Sequence, residues 1–103
     1  MPFCVSGKNI NIGPALQQQI VDRVEEATSK YFNGGYSGQA TVGRDGFGFK
    51  TECILHLDSG AMLEAEGMAA DAYDSAAQAS ERMEKQLRRY KRRLKDHQSR
   101  RSG

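Results

Sequence analysis

At 103 residues the chain has room for one domain and one core, and with 38% apolar against 27% charged residues it is too hydrophobic for wholesale disorder. No apolar run approaches the roughly 20 residues that span a bilayer, and Met1-Pro2-Phe3-Cys4 lacks the charged start and apolar stretch of a signal peptide. Two distant cysteines, Cys4 and Cys53, argue against a disulfide scaffold or a zinc site and for a reducing, cytoplasmic setting, while the formal net charge of +2 looks bland.

Pro2 to Ser6 is a short apolar stretch that predicts a strand. Gly13 and Pro14 have the pattern of an N-cap followed by a first helical residue whose missing N–H costs nothing. Leu16, Ile20, Val24, Ala27 and Tyr31 then recur at spacings of three and four, one apolar stripe on a helix. Asn33-Gly34-Gly35 is expected to stop that helix in a left-handed cap.

Ser37 to Arg44 predicts a strand, with Ala40 and Val42 alternating with polar neighbours. Asp45-Gly46-Phe47-Gly48 breaks it. Phe49 to Leu57 predicts another, with Thr51, Cys53, Leu55 and Leu57 on one face and Glu52, Ile54 and His56 on the other. Asp58-Ser59-Gly60 is a turn signal, so Ala61 to Ala65 returns as the hairpin partner. Asp71 and Asp74 suit the positive start of a last helix from about Ala72 to Asp96. Its ~25 residues reach roughly 37 Å, more than a core this small covers. His97 to Gly103 has no apolar residue and reads as a polar tail or the start of a linker, so the expected division is 1–96 and 97–103.

Charge along the chain is strongly segregated. Residues 1–81 hold five Lys/Arg and eleven Asp/Glu, a net −6; residues 82–103 hold ten Lys/Arg and two acids, a net +8. With Leu87 at 0° and about 100° per residue, Ala76, Met83, Tyr90 and Leu94 fall within roughly 60° of it. Lys85, Arg89 and Arg92 lie opposite, flanked by Arg82 and Arg93 on one side and Arg88 on the other. Lys91 and Lys95 sit nearer the buried edge, where their stems pack and their charges reach water. Like charges at these spacings repel by a few tenths of a kcal/mol each, a cost that a polyanion reverses. A merely solvated face usually mixes Glu with Lys, and Arg favours forked contacts to phosphate, so nucleic-acid binding is expected. An anionic membrane surface is the other polyanion, but the stripe is Ala-rich and poor in large hydrophobes.

Other candidate sites dissolve on inspection. Gly46-Phe47-Gly48-Phe49 is similar to part of a base-stacking strand motif, yet Asp45 stands where a cation belongs and no helix separates the last two strands. A hairpin loop with Phe49 anchored in the sheet is the expected reading. His56 and His97 share no ligand spacing with the cysteines, and Glu64 and Glu66 share a strand face without a pocket signal. Neither catalysis nor a cofactor, metal or small-molecule substrate is expected.

Strand, helix, three antiparallel strands and helix predict an α+β fold: a four-stranded sheet with both helices on one face, order β-α-β-β-β-α. This is similar to a double-stranded-RNA-binding domain with a strand added in front, the first two strands running parallel. Val5-Ser6-Gly7-Lys8-Asn9-Ile10, Ile12-Gly13-Pro14-Ala15-Leu16 and Lys30-Tyr31-Phe32 resemble the opening of the ribosome hibernation promoting factors, also called the sigma-54 modulation or ribosome-associated inhibitor family. Leu55-His56-Leu57, Ala65-Glu66-Gly67, Asp71-Ala72-Tyr73 and Gln86 to His97 resemble its second half, so the likeness covers residues 3 to 97.

That resemblance implies a non-catalytic cytoplasmic protein of stationary or starved cells. It would bind the small ribosomal subunit and its ribosomal RNA, block the messenger and transfer RNA sites, and so stop translation. In the family, basic residues of both helices contact that RNA. Carried over, these are Lys85, Arg88, Arg89, Arg92, Arg93 and Lys95 on the last helix, with Arg82 added from the surface argument and Arg23 and Lys30 on the first helix. Asp22, Glu25 and Glu26 depart from a basic first helix and shift the expected weight to the second. Family members have a short form and a long form whose further C-terminal domain pairs ribosomes; the polar tail here resembles the linker of a long form. A generic structured-RNA binder and a protein-interaction module that modulates transcription are the alternative readings.

Overall fold

The computed structural model describes residues 3–32 and 34–102, with side chains described as far as Arg93. The elements in chain order are β1 (Phe3–Lys8), α1 (Pro14–Tyr31), β2 (Tyr36–Asp45), β3 (Gly48–Leu57), β4 (Met62–Ala69) and α2 (Ala72–Ser102). The sheet is ordered β1-β2-β3-β4, with β1 parallel to β2 and the other pairs antiparallel. This is the expected α+β layout.

Alternation along the strands builds the core. Phe3, Gly38, Leu55 and Leu63 face each other across the four strands, and the next inward row is Val5, Ala40, Cys53 and Ala65. The two helices cover that face, bringing Leu16, Ile20, Val24 and Ala27 from α1 and Ala76, Ala79, Met83 and Leu87 from α2 to it. Burying a side chain such as Leu55 or Leu87 contributes about 1.5–3 kcal/mol. Thr51, inward on β3, meets Ser75 of α2, their hydroxyls 2.8 Å apart, and the Ser75 hydroxyl also lies 2.8 Å from the Ala72 carbonyl as its donor. The buried pair is thereby satisfied.

α2 lies close on β4 because its contact residues are small. A Cβ on Gly67 would sit 2.7 Å from the Gln78 Cβ and 2.6 Å from the Ala79 nitrogen, so only glycine admits the helix at this distance. Gly46, at φ 61°, is the first central residue of the two-residue β2–β3 turn, the position type II′ turns give to glycine.

Strand ends shift by one or two residues from expectation, β1 running to Lys8 instead of Ser6 and β2 from Tyr36 to Asp45 instead of Ser37 to Arg44, and three other boundaries differ for physical reasons. α1 begins as predicted, with Gly13 as N-cap and Pro14 following, but it ends at Tyr31 with Phe32 extended (φ −143°, ψ 128°). Gly35 is not left-handed, and Asn33, the first residue of the expected cap, lies outside the described residues. The Phe32 N–H closes the last turn onto the Thr28 carbonyl at 2.8 Å while its ring packs on Tyr90, 6.2 Å between centroids. β4 continues past Ala65 to Ala69, paired with β3 throughout. α2 continues past Asp96 to Ser102, because no Gly or Pro interrupts the chain from Ala72 to Ser102.

Candidate nucleic-acid interface

The packing of α2 decides which of its residues reach solvent. With Ala76, Ala79, Met83 and Leu87 buried and Tyr90 half-buried, Arg82, Lys85, Arg88, Arg89, Lys91, Arg92 and Arg93 are all exposed. The predicted cationic ridge is therefore outward-facing over residues 82–93; Lys95 lies outside the residues whose side chains are described. Among the described residues, carboxylates touch it at two points, Glu81 with Lys85 and Glu84 with Arg88, each at 3.8 Å. Pairs this open to solvent are worth at most about 1 kcal/mol each and hold the cations only weakly. Among the described residues, Arg89, Arg92 and Arg93 have no carboxylate within ion-pair distance.

Arg82 occupies a different position. Its Nη1 donates to the Glu66 carbonyl at 2.6 Å, Gln86 Nε2 donates to the Glu64 carbonyl, and Gln78 Oε1 accepts the Met68 N–H at 3.2 Å. Gln78, Arg82 and Gln86 stand four residues apart on one helix line, matching alternate outward backbone groups of β4. The line ties α2 to the sheet edge and blunts that edge against further strand pairing. Sequence reasoning had no access to this role, since it depends on the register between helix and strand.

Beyond that line an open groove of about 520 Å³ runs between α2 and the uncovered sheet face. Arg82, Lys85 and Arg89 form one wall and Glu52, Glu64 and Glu66 the other. Lys50 pairs with Glu66 at 3.5 Å across the β3–β4 ladder. The acidic wall disfavours phosphate inside the groove and leaves the outer crest of α2 as the favourable track.

α1 contributes less. Arg23 is exposed beside Asp22 and three residues before Glu26, whereas Lys30 stands at the end of the helix, its Nζ 5.5 Å from the Tyr31 ring centroid. Arg88 reaches the same ring from α2: its Nε donates to the Tyr31 hydroxyl at 3.3 Å and its guanidinium lies 5.8 Å from the centroid. The Tyr31 hydrogen bond raises the Arg88 pKa further above its ordinary value. Tyr90 adds a hydrogen bond to Ser59 in the β3–β4 turn. These aromatic links were missed in the sequence, because no local pattern pairs residues 57 positions apart.

The remaining candidates are accounted for structurally. His56, Glu64 and Glu66 are exposed on the uncovered sheet face. Cys53 is a core residue whose thiol is pushed up to about 12 by burial, too weak an acid to serve as a nucleophile near neutrality. Phe49 is half-buried with Arg44 5.7 Å from its ring centroid, while Phe47 is fully exposed at the turn. Among the described residues no group of three or more His, Cys, Asp or Glu is placed to hold a metal, and no helix is long and apolar enough to cross a membrane.

The sequence pattern of the family described as Sigma 54 modulation protein / S30EA ribosomal protein matches residues 3–95. The chain is 53% identical over 102 residues to a ribosome hibernation promotion factor of Bradyrhizobium diazoefficiens, covering 99% of this chain and 50% of that protein. It is 50% identical over 97 residues to the one of Rhizobium meliloti, covering 94% and 51%. It thus spans about half the length of these curated relatives. The crystal structure of the Thermus thermophilus Protein Y N-terminal domain superposes with a TM-score of 0.75 at 22% identity, over 84% of this chain and 94% of that one, a likeness of fold.

Proposed function

The chain belongs to the Sigma 54 modulation protein / S30EA ribosomal protein family, and from that membership we propose that it is the ribosome-binding part of a hibernation factor. It acts in the cytoplasm without catalysing a reaction. Its partner is the small ribosomal subunit, whose ribosomal-RNA phosphates lie along the α2 crest. The bound domain excludes messenger and transfer RNA from their sites by occupying the space, and translation stops. Pairing of ribosomes requires a further domain.

One observation carries this reading: exposed cations of α2 from Arg82 to Arg93 stand opposite a buried Ala/Met/Leu stripe, with two weak carboxylate pairs to them among the described residues. Lys85, Arg89 and Arg92 form its centre, with Arg88 and Arg93 beside them. Arg23, Lys30 and Lys95 are further contacts in this reading, and Arg82 contributes through whichever nitrogens its carbonyl bond leaves open.

If about six to eight phosphates are neutralised, binding falls with salt on a log–log slope of about −4 to −7. Cosedimentation of the chain with purified small subunits over a KCl series measures it. Changing Lys85, Arg89 and Arg92 together to Glu abolishes cosedimentation while the far-UV spectrum stays native; a folded triple variant that still cosediments overturns the reading. Excess naked duplex RNA fails to compete, whereas a generic duplex binder is competed away. Salt-insensitive capture by a protein partner is the result a transcriptional interaction module gives.

A further inference from the structure

We propose that Tyr31, Lys30 and Arg88 form a phosphodiester subsite at the junction of α1 and α2, in which Tyr31 both sets the Arg88 guanidinium and supplies a neutral donor of its own. The proposal rests on the ribosomal-RNA reading and adds to the α2 crest a site that draws on both helices. The Arg88 Nε–H is donated to the Tyr31 oxygen at 3.3 Å. That bond uses an acceptor lone pair and leaves the phenol proton to be donated to an anionic oxygen. The same ring has the Lys30 ammonium 5.5 Å and the Arg88 guanidinium 5.8 Å from its centroid. Its negative quadrupole attracts both cations, one from each helix, to a single ring.

Tyr31 is half-buried and packed against the core, so the ring is a fixed platform, whereas the Arg88 side chain is 51% exposed. The Glu84 carboxylate 3.8 Å from Arg88 Nη2 is a half-buried partner whose place a phosphate takes on the exposed side of the guanidinium. The guanidinium and the phenol it binds offer donors of two geometries to one tetrahedral anion, and the ammonium adds positive charge at the same ring, a set suited to a phosphodiester. The subsite also gives α1 a role despite Asp22, Glu25 and Glu26. It lies in the last turn, where Lys30 and Tyr31 follow those acids.

The test measures Kd of the fluorescently labelled chain for purified small ribosomal subunits over a KCl series, with the thermal midpoint of each variant alongside. Tyr31→Phe keeps the ring and loses the hydroxyl; affinity falls about 3- to 10-fold with the salt slope unchanged, because no charge is removed. Arg88→Gln makes the slope shallower by about 1. The double variant binds only slightly worse than Arg88→Gln alone, the non-additivity of two groups serving one anion. Losses that multiply, an unchanged slope in Arg88→Gln, or parental affinity in Tyr31→Phe each overturn the subsite. The Lys85, Arg89 and Arg92 triple Glu variant separates the two levels. If it binds as the parent does, the ribosomal-RNA reading itself falls; if it is silent while Tyr31→Phe and Arg88→Gln bind normally, only the subsite falls.

Discussion

Arg82 and Arg92 look alike in the sequence, two arginines ten positions apart on one helix, yet they do different things. Arg82 donates to the Glu66 carbonyl at the β4 edge, whereas Arg92 is exposed with no carboxylate partner among the described residues. Arg82→Ala therefore costs about 1 kcal/mol in urea denaturation, and Arg92→Ala stays within about 0.5 kcal/mol. Gly67→Ala is the harsher change, since the added methyl meets the backbone of α2; about 1–3 kcal/mol of stability is lost, read from the same curves. Cys53 titrates in a way that reports the fold. Burial raises its pKa from 9.0 to about 12, so below pH 9 the thiol is neutral whether the chain is folded or not, and its contribution is intact. Between pH 9 and 12 only the unfolded chain ionises it, and that contribution is lost as pH rises. At pH 8 a thiol reagent accordingly labels exposed Cys4 at once and Cys53 only as fast as the chain opens.

At the scale of elements, the sheet and α1 were legible because their patterns are self-consistent. Thr51, Cys53, Leu55 and Leu57 alternate with outward neighbours, and all four are buried in the fold. Leu16, Ile20, Val24 and Ala27 give α1 its stripe in the same way. The end of α1 was not legible, because Phe32 leaves the helix to meet Tyr90, a residue 58 positions further along the chain. Most of the cationic face of α2 follows from its 3.6-residue period; the task of Arg82 does not, because it requires the register between α2 and β4. A Gln78, Arg82 and Gln86 triple Ala variant leaves the outward carbonyls and N–H of β4 to solvent. It should gain a concentration-dependent tendency to self-associate, visible in sedimentation velocity, that the Lys85, Arg89 and Arg92 triple Glu variant does not show.

For the whole molecule, folding and binding are expected to respond to salt with opposite signs. The +8 of residues 82–103 repels itself along α2, so screening relieves the free chain while it weakens any contact with phosphate. The thermal midpoint of the free chain rises by a few degrees between about 50 and 500 mM KCl, as affinity for small subunits falls steeply. A midpoint that falls over the same range would mean that internal ion pairs, and not repulsion along the ridge, dominate the electrostatics. The molecule measures 52 × 26 × 18 Å along its principal axes, a flat and elongated body with its basic helix along one side.

By itself the sequence determined the order of elements, the inward faces of the strands and helices, and the gathering of cations on one side of α2. Each of these is local periodicity or local charge, and the backbone converts both into direction without reference to the rest of the chain. Only the tertiary structure decided which cations are committed to the protein and which face outward. The bond from Arg82 to the edge of β4, and the meeting of Lys30 and Arg88 at Tyr31, join residues from separate elements. Their partners are fixed by how closely α2 packs at Gly67 and where α1 ends, and such distances exist only once the helices lie on the sheet.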